Sequence, residues 1–251
     1  MGTSVVAAAQ SVSVAGDIDA NILRHLVFMR AAIAQGVEFL LFPELSLTGY
    51  ERGLAHELAI DPADARLRPL HELARDSGMV TVVGAPIRRS GSPDVLIAAL
   101  VLGVAAEVGV YSKQHLHAGE ELVFSPGEGG ESVQIGTDHI VLAVCADFTH
   151  ASHASAAAQS GATVYAASVL ITDGGYVADT QLLAGYAAEH GMAVLMANHG
   201  GATGGWESAG RSAFWSEDGM WVGAADGPGD LLVVARHNGN KWATSVVPVM
   251  A

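Results

Sequence analysis

Three side chains of complementary chemistry follow predicted strands in this sequence: the carboxylate of Glu44, the amine of Lys113 and the thiol of Cys145. In α/β proteins, functional sites form at the carboxyl ends of strands, so these side chains are candidates for one site. A thiol is mostly protonated at neutral pH and becomes a nucleophile when a base takes its proton. The set therefore indicates nucleophilic catalysis, with an amine available to stabilise negative charge.

Cys145 is the only cysteine of the chain and stands where a buried strand ends. Three of the five residues from Ile140 to Val144 are β-branched, which favours a strand. An Ala-rich segment, residues 151–160, follows after a short turn and is predicted to be a helix. A strand that passes through a turn into a helix lifts its last side chain out of the sheet and leaves backbone N–H groups free beside it.

Each of these side chains also has a purely structural explanation. A lone cysteine is often a small buried hydrophobic residue, Glu44 could turn into solvent, and Lys113 could extend along the surface. A carboxylate at the end of a buried strand is costly unless it is paired or used. The agreement of all three positions favours the catalytic interpretation.

The composition limits the classes of partner. The chain has 251 residues, 50% hydrophobic and 15% charged, which predicts a sizeable core. Its 26 acidic and 12 basic residues give a net charge of −14, which argues against nucleic acid and anionic membranes as partners. A single cysteine excludes an internal disulfide, and residues 1–10 lack the pattern of a signal peptide. We find no apolar run of about 18 residues, so we expect a soluble, cytoplasmic protein.

Hydrophobic periodicity and turn residues divide the chain into alternating elements. Helices are predicted at residues 19–35, with Asp19 as the cap, 63–77, 151–160 and 176–190. Strands are predicted at residues 5–9, 37–42, 79–85, 94–102, 107–112, 131–135, 140–144, 163–168, 192–198, 210–215, 220–224, 231–236 and 242–247.

The strands are too apolar and too numerous for one sheet covered by these helices. Near-continuous apolar strands are buried on both faces, and four helices cannot cover both faces of one such sheet. Two sheets packed face to face with helices outside satisfy the pattern. The sequence therefore predicts an α/β fold, a four-layer α-β-β-α sandwich, and residues 1–251 are predicted to form a single domain because no linker interrupts them.

Three segments resemble the signature segments of the carbon–nitrogen hydrolase (nitrilase) superfamily, in its order and near its spacing: Phe42–Tyr50, Tyr111–Leu116 and Val144–Asp147. Phe124–Gly127 is similar to the short motif that follows the lysine of that family, and Asn198 resembles a later landmark. The resemblance spans essentially the whole chain. It implies the same four-layer sandwich, a homodimer or larger homo-oligomer, and no metal or cofactor.

The resemblance also implies a Glu-Lys-Cys triad made of Glu44, Lys113 and Cys145. Glu44 is then the general base, and the thiolate of Cys145 attacks an amide carbon. Lys113 and the backbone N–H of Ala146 are expected to stabilise the oxyanion.

A second glutamate often stands near the lysine in this family, and two candidates compete for its place. Counting back from Phe124–Gly127 favours Glu120, whereas the loop length favours Glu121. Either could instead be a solvated loop acid. We predict Glu120 as a fourth catalytic residue and Glu121 as a substrate-binding one.

The remaining substrate-binding candidates are Tyr50, Ala146 and Phe148. Relatives that act on N-carbamoyl or dicarboxylic amides carry an arginine soon after the cysteine, where this chain has Phe148 and Thr149. Arginine–carboxylate pairs are strong and hard to replace. A neutral or amine-bearing substrate is therefore favoured, unless Arg52 or Arg211 reaches the pocket.

Other patterns do not indicate a further site. The pairs His115/His117 and His150/His153 have no evident third ligand, so no metal site is predicted. The glycine-rich residues 200–205 lack the Lys-Ser/Thr of a phosphate loop and are predicted to form a mobile loop near the site. Trp206 is predicted to lie in the core or an interface.

The predicted function is that of an amidase that releases ammonia from a small amide through a thioester on Cys145. The alternatives are a nitrilase, an N-carbamoyl-amide hydrolase, or a catalytically silent binding protein on the same fold.

Overall fold

The computed structural model describes residues 4–89, 91–103, 107–239 and 241–250, whose strands form two mixed sheets. The first sheet contains β1 (Val5–Gln10), β2 (Phe39–Leu41), β3 (Val80–Arg88), β4 (Val95–Leu102), β5 (Gly109–Ser112), β12 (Leu231–His237) and β13 (Trp242–Pro248). The second contains β6 (Val133–Ile135), β7 (Asp138–Val144), β8 (Val164–Val169), β9 (Ala193–Asn198), β10 (Ala213–Trp215) and β11 (Trp221–Ala224). The helices are α1 (Ile18–Ala34), α2 (Ala55–Leu58), α3 (Arg68–Ser77), α4 (Ala151–Gln159) and α5 (Asp173–His190).

Each sheet has a parallel centre with antiparallel strands added at its sides. The order of the first sheet is β13-β12-β1-β2-β3-β4-β5, with β1, β2 and β3 parallel. The order of the second is β11-β10-β9-β8-β7-β6, with β7, β8 and β9 parallel. These parallel strands are largely apolar and buried, as expected for strands that are covered on both faces.

The packing of the buried side chains defines four layers. One apolar cluster lies between the sheets and joins residues such as Phe39 and Val82 to Leu142 and Leu195. A second cluster packs α1 and α3 on the outer face of the first sheet. A third packs α4 and α5 on the outer face of the second sheet. The predicted α/β, four-layer α-β-β-α sandwich is confirmed.

Several element boundaries differ from the predictions for local reasons. Asp17, not Asp19, caps α1, because its carboxylate accepts from the Ala20 N–H. The segment predicted as one helix over 63–77 begins as a 3₁₀ turn, and α3 starts at Arg68 with Pro69 in its first turn, where proline is tolerated. Residues 104–106, between the predicted strands 94–102 and 107–112, lie outside the described residues.

The sequence predicts no membrane-spanning segment, and the helices can be compared with that prediction. Across the described ranges, we find no helix both long and apolar enough to cross a bilayer.

Candidate active site

Glu44 lies in a tight turn directly after β2. Pro43 ends the strand, and Leu45 has a left-handed backbone, with φ of 52°. This turn packs so closely on β3 that a Cβ at Gly84 would lie 2.3 Å from the Leu45 nitrogen, which only glycine permits. Nε2 of His199 donates to the Glu44 carbonyl oxygen at 2.7 Å. These contacts fix the backbone from which the buried Glu44 carboxyl projects.

Cys145 occupies a sharp turn between β7 and α4. Its φ of 44° is left-handed, an uncommon conformation for a residue with a side chain, and one that costs roughly 1–3 kcal/mol. A single 3₁₀ turn, Cys145–Thr149, separates the strand from the helix. The predicted strand–turn–helix geometry is therefore present, and the thiol projects from the strand end.

Lys113 follows β5 and is completely buried between two carboxylates. Its Nζ lies 2.7 Å from Glu44 Oε1 and 2.8 Å from Glu120 Oε1. The Tyr50 hydroxyl also donates to Glu120 Oε1, at 2.6 Å, and the His117 N–H donates to Glu120 Oε2, at 2.7 Å. A buried ammonium with two carboxylate partners has a fixed position. The Lys113 ammonium therefore suits a preorganised hydrogen-bond donor.

Burial and neighbouring charges change the pKa values of these groups. Burial raises the pKa of Glu44 to about 7, although Lys113 lowers it. The pKa of Lys113 is raised because its carboxylate neighbours outweigh the effect of burial. Burial, with Glu44 adding to it, raises the pKa of the Cys145 thiol. The resting site therefore holds a neutral thiol beside a carboxyl group that exchanges its proton near neutrality.

The second oxygen of the Glu44 carboxyl is unbonded. Oε2 is buried and has no hydrogen-bond partner within bonding distance in the described structure. Lys113 holds Oε1, so Oε2 is the carboxyl oxygen without a protein partner there. Glu44 and Cys145 both line one cavity.

Asp147 forms hydrogen bonds to residues on both sides of Lys113 and to the residue before Cys145. Its Oδ1 accepts from the backbone N–H groups of Gln114, at 3.0 Å, and His115, at 2.8 Å. Its Oδ2 accepts from the Tyr111 hydroxyl, at 2.8 Å, and from the Val144 N–H, at 3.0 Å. One buried carboxylate thus fixes the spacing between residues adjacent to Lys113 and residues adjacent to Cys145.

A cavity of about 250 Å³ opens onto Cys145 and Glu44. Tyr50, Ala146 and Phe148, which were predicted to bind substrate, all line it. Phe148 also packs into the apolar layer beneath α4 and α5, so its position is fixed. A cavity of this volume suits a small molecule.

The structure separates the two competing glutamates. Glu120 is buried and bonds to Lys113. Glu121 is exposed, accepts from the Gly119 N–H at 2.7 Å, and does not line the cavity. The short 3₁₀ turn Glu120–Leu122 points the neighbouring side chains apart. The structure thus places Glu121 outside the lining of the cavity that contains Cys145.

The alternative arginines do not enter the cavity. Arg52 lies over the Tyr50 ring, with its guanidinium carbon 5.4 Å from the ring centre, and is not among the residues that line the cavity. Arg211 pairs with Asp173 and lies over the ring of Tyr176. Within the described residues, no arginine lines the cavity that contains Cys145.

Three histidines of the two pairs, His115, His150 and His153, contact other rings, whereas His117 lines the cavity. His115 and His150 stack with ring centres 3.9 Å apart, and His153 bonds to Tyr111 and Tyr165. A search of the described ranges found no group of three or more histidine, cysteine, aspartate or glutamate side chains that could hold a metal ion.

The family model of the carbon–nitrogen hydrolases matches residues 5–237. The chain belongs to the carbon–nitrogen hydrolase family. This match and the fold agree with the three segments that carried the resemblance.

Two solved structures and one further relative are similar to this chain, and they differ in the fraction of the chain that they match. A mutant amidase from Nesterenkonia sp. AN1, with acrylamide added at its active-site cysteine, is 29% identical, with a TM-score of 0.81 and 92% of each chain covered. Nit3 from Saccharomyces cerevisiae shares the fold at 18% identity, with a TM-score of 0.85 and coverage of 94% of this chain and 90% of that one. A nitrilase from Pyrococcus abyssi is 32% identical over 154 residues, 59% of this chain and 58% of the relative.

Sequence reasoning missed several residues of the site. His199, which holds the Glu44 backbone, comes directly after the landmark Asn198 at the end of β9, and that position was the available signal. Trp206 lines the cavity and is partly exposed, so it is not a core residue, and the alternative position in an interface stays a prediction. Asp179, in the middle of α5, also lines the cavity, and nothing in its sequence context marks it.

Paired variants test the assignment of the second glutamate. We expect Glu120→Gln to lower kcat/KM about 10- to 100-fold, because a charge-assisted bond to Lys113 is lost. Glu121→Gln is the matched control and should stay within about twofold, as surface changes do. Steady-state kinetics on both purified variants provide the comparison, and equal losses in the two would contradict the assignment.

Proposed function

We propose that the protein is an amidase that hydrolyses small non-peptide amides and releases ammonia through a thioester on Cys145. The observation that carries the proposal is the position of the Cys145 thiol in a cavity beside a buried Glu44 carboxyl held by Lys113. A nucleophile, a base and a fixed cation in one small cavity are what acyl transfer from an amide requires.

The first half-reaction forms the thioester. Glu44 takes the thiol proton as Cys145 Sγ bonds to the amide carbon, and the carbonyl oxygen becomes an oxyanion. The Lys113 ammonium and the Ala146 N–H stabilise that charge. As the carbon–nitrogen bond breaks, Glu44 gives its proton to the departing nitrogen, and ammonia leaves.

The second half-reaction regenerates the thiol. Glu44 takes a proton from a water molecule, whose oxygen attacks the thioester carbon. The carbon–sulfur bond then breaks, the acid product leaves, and the proton on Glu44 returns to Cys145. A carboxyl whose pKa is about 7 suits both directions, because it gives and takes a proton at similar cost near neutrality.

Amide substrates have independent support from similarity. A mutant of the Nesterenkonia amidase has been solved in complex with butyramide. That mutant is 28% identical to this chain, with a TM-score of 0.82, and the match covers 93% of this chain and 90% of the mutant. A cavity of about 250 Å³ has room for an amide of that size.

A panel of amides tests the proposed function and the preference for charge. We expect ammonia release from butyramide and pentanamide, and little from glutaramate or N-carbamoyl-β-alanine. No arginine lines the cavity in the described structure to pair with a carboxylate. Burying an unpaired carboxylate costs several kcal/mol, on the order of a thousandfold in kcat/KM. Measured kcat/KM values across the panel give the result.

The same panel separates the alternatives. Faster turnover of glutaramate than of pentanamide would overturn the charge preference. Ammonia from butyronitrile or N-carbamoyl-β-alanine, with none from amides, would identify a nitrilase or an N-carbamoyl-amide hydrolase. No turnover of any compound would favour the catalytically silent binding protein.

A further inference from the structure

A carboxylate outside the catalytic group lines the wall of the same cavity. Asp179 lies in the middle of α5 and borders the cavity together with Cys145 and Trp206. The proposed reaction needs Glu44, Lys113 and Cys145 and gives Asp179 no part in proton transfer. A half-buried acid in a substrate cavity therefore calls for another explanation.

No protein group of the described residues bonds to the Asp179 carboxylate. It makes no hydrogen bond or ion pair, and burial raises its pKa. The charge of His117, which lines the same cavity, is the influence that lowers it. His117 Nδ1 lies 3.2 Å from the Ala118 carbonyl oxygen, so that nitrogen donates within its own loop. The carboxylate thus has its bonding capacity free towards the cavity.

The helix leaves space beside this carboxylate. Gly175, one turn before Asp179, also lines the cavity, and a Cβ there would lie 3.0 Å from Asp179 Oδ2. A larger residue at Gly175 would crowd the carboxylate. The absence of a side chain at this position keeps one oxygen of Asp179 accessible from the cavity.

We propose that Asp179 is a specificity-determining residue that binds an ammonium group at the end of the substrate remote from the amide. The inference rests on the proposed amidase function and names its substrate class, the small ω-amino amides. An ammonium is the group that matches an unpaired carboxylate, because a charge-assisted hydrogen bond compensates for the burial of both.

The rest of the cavity agrees with a cationic end group. The aromatic rings of Trp206 and Tyr50 line it, and aromatic faces attract ammonium groups. The net charge of −14 favours the approach of cations over anions. No arginine or lysine is among the described lining residues, Lys113 is engaged by Glu44 and Glu120, and His117 is the basic side chain of the lining.

A pair of isosteric amides provides the kinetic test. 4-Aminobutanamide and pentanamide differ by an ammonium in place of a methyl group. We expect Asp179→Asn to lower kcat/KM for 4-aminobutanamide on the order of 10- to 100-fold, and to leave pentanamide within about twofold. Glu189→Gln is the control, because Glu189 is an exposed acid on the same helix that lies outside the cavity lining.

A binding measurement makes the test independent of turnover. Calorimetry with the Cys145→Ala variant should show tighter binding of 4-aminobutanamide than of pentanamide, and adding Asp179→Asn should remove the difference. If the wild type hydrolyses no amide but this preference is present, the proposed function fails and the inference stands. If amides are hydrolysed but Asp179→Asn affects both compounds equally, or the wild type shows no preference, the inference fails alone.

Discussion

The Cys145→Ala variant is expected to lose all measurable amide turnover while remaining folded. The sulfur is the only protein atom in the proposed reaction that bonds to substrate carbon, and no second cysteine can replace it. The change removes one atom from a side chain that borders an open cavity, so little packing is lost. Ammonia release measures activity, and thermal unfolding measures the fold.

Mass spectrometry of the wild type should detect the acyl adduct that the proposed reaction forms. With a slowly hydrolysed amide, the intact mass should increase by that of the acyl group, and digestion should place it on Cys145. The Cys145→Ala variant, treated in the same way, should gain no mass. Full activity in that variant, or an adduct on another residue, would show that the covalent mechanism is wrong.

The chemistry of the site is more accessible from sequence than its geometry. Glu44, Lys113 and Cys145 could be predicted because each follows a predicted strand, and strand ends are where such sites form. The four layers followed from the number and apolar character of the strands. Both inferences depend on local patterns, which a single sequence displays directly.

The contacts made across long sequence separations could not be predicted in this way. Glu120 and Glu121 are adjacent and identical, and only the turn that buries one of them distinguishes their environments. His199 reaches Glu44 across 155 residues of chain. Asp179 faces the cavity because α5 packs on the second sheet at one particular rotation, which its composition does not specify.

The burial of Lys113 explains why this residue has the second largest expected effect. Its ammonium lies between two buried carboxylates, and a hydroxyl and a backbone N–H complete the bonding of Glu120. Removing a cation from such a group leaves negative charge with no compensation in a region of low dielectric. The effect should therefore appear in both catalysis and stability.

Lys113→Met keeps most of the side-chain volume and removes the charge. We expect kcat to fall on the order of 10²- to 10³-fold, because one oxyanion donor is lost. Unfolding free energy should fall by about 3–5 kcal/mol, because Glu44 and Glu120 lose their shared partner. Without Lys113 the pKa of Glu44 rises further, so the folded state holds a proton that the unfolded state releases. The loss of stability should therefore be small in acid and should grow as the pH rises through neutrality.

The double variant Lys113→Met/Glu120→Gln separates the two roles of the lysine. Replacing Glu120 by its neutral isostere removes one of the two unpaired carboxylates, so denaturant unfolding at neutral pH should show part of the lost stability restored. The oxyanion donor is still absent, so kcat should remain as low as in the single variant. Recovery of stability with no recovery of activity would assign both roles to Lys113. Near wild-type kcat in the single variant would instead mean that Lys113 is a structural cation only, and Ala146 would then be the remaining candidate for stabilising the oxyanion.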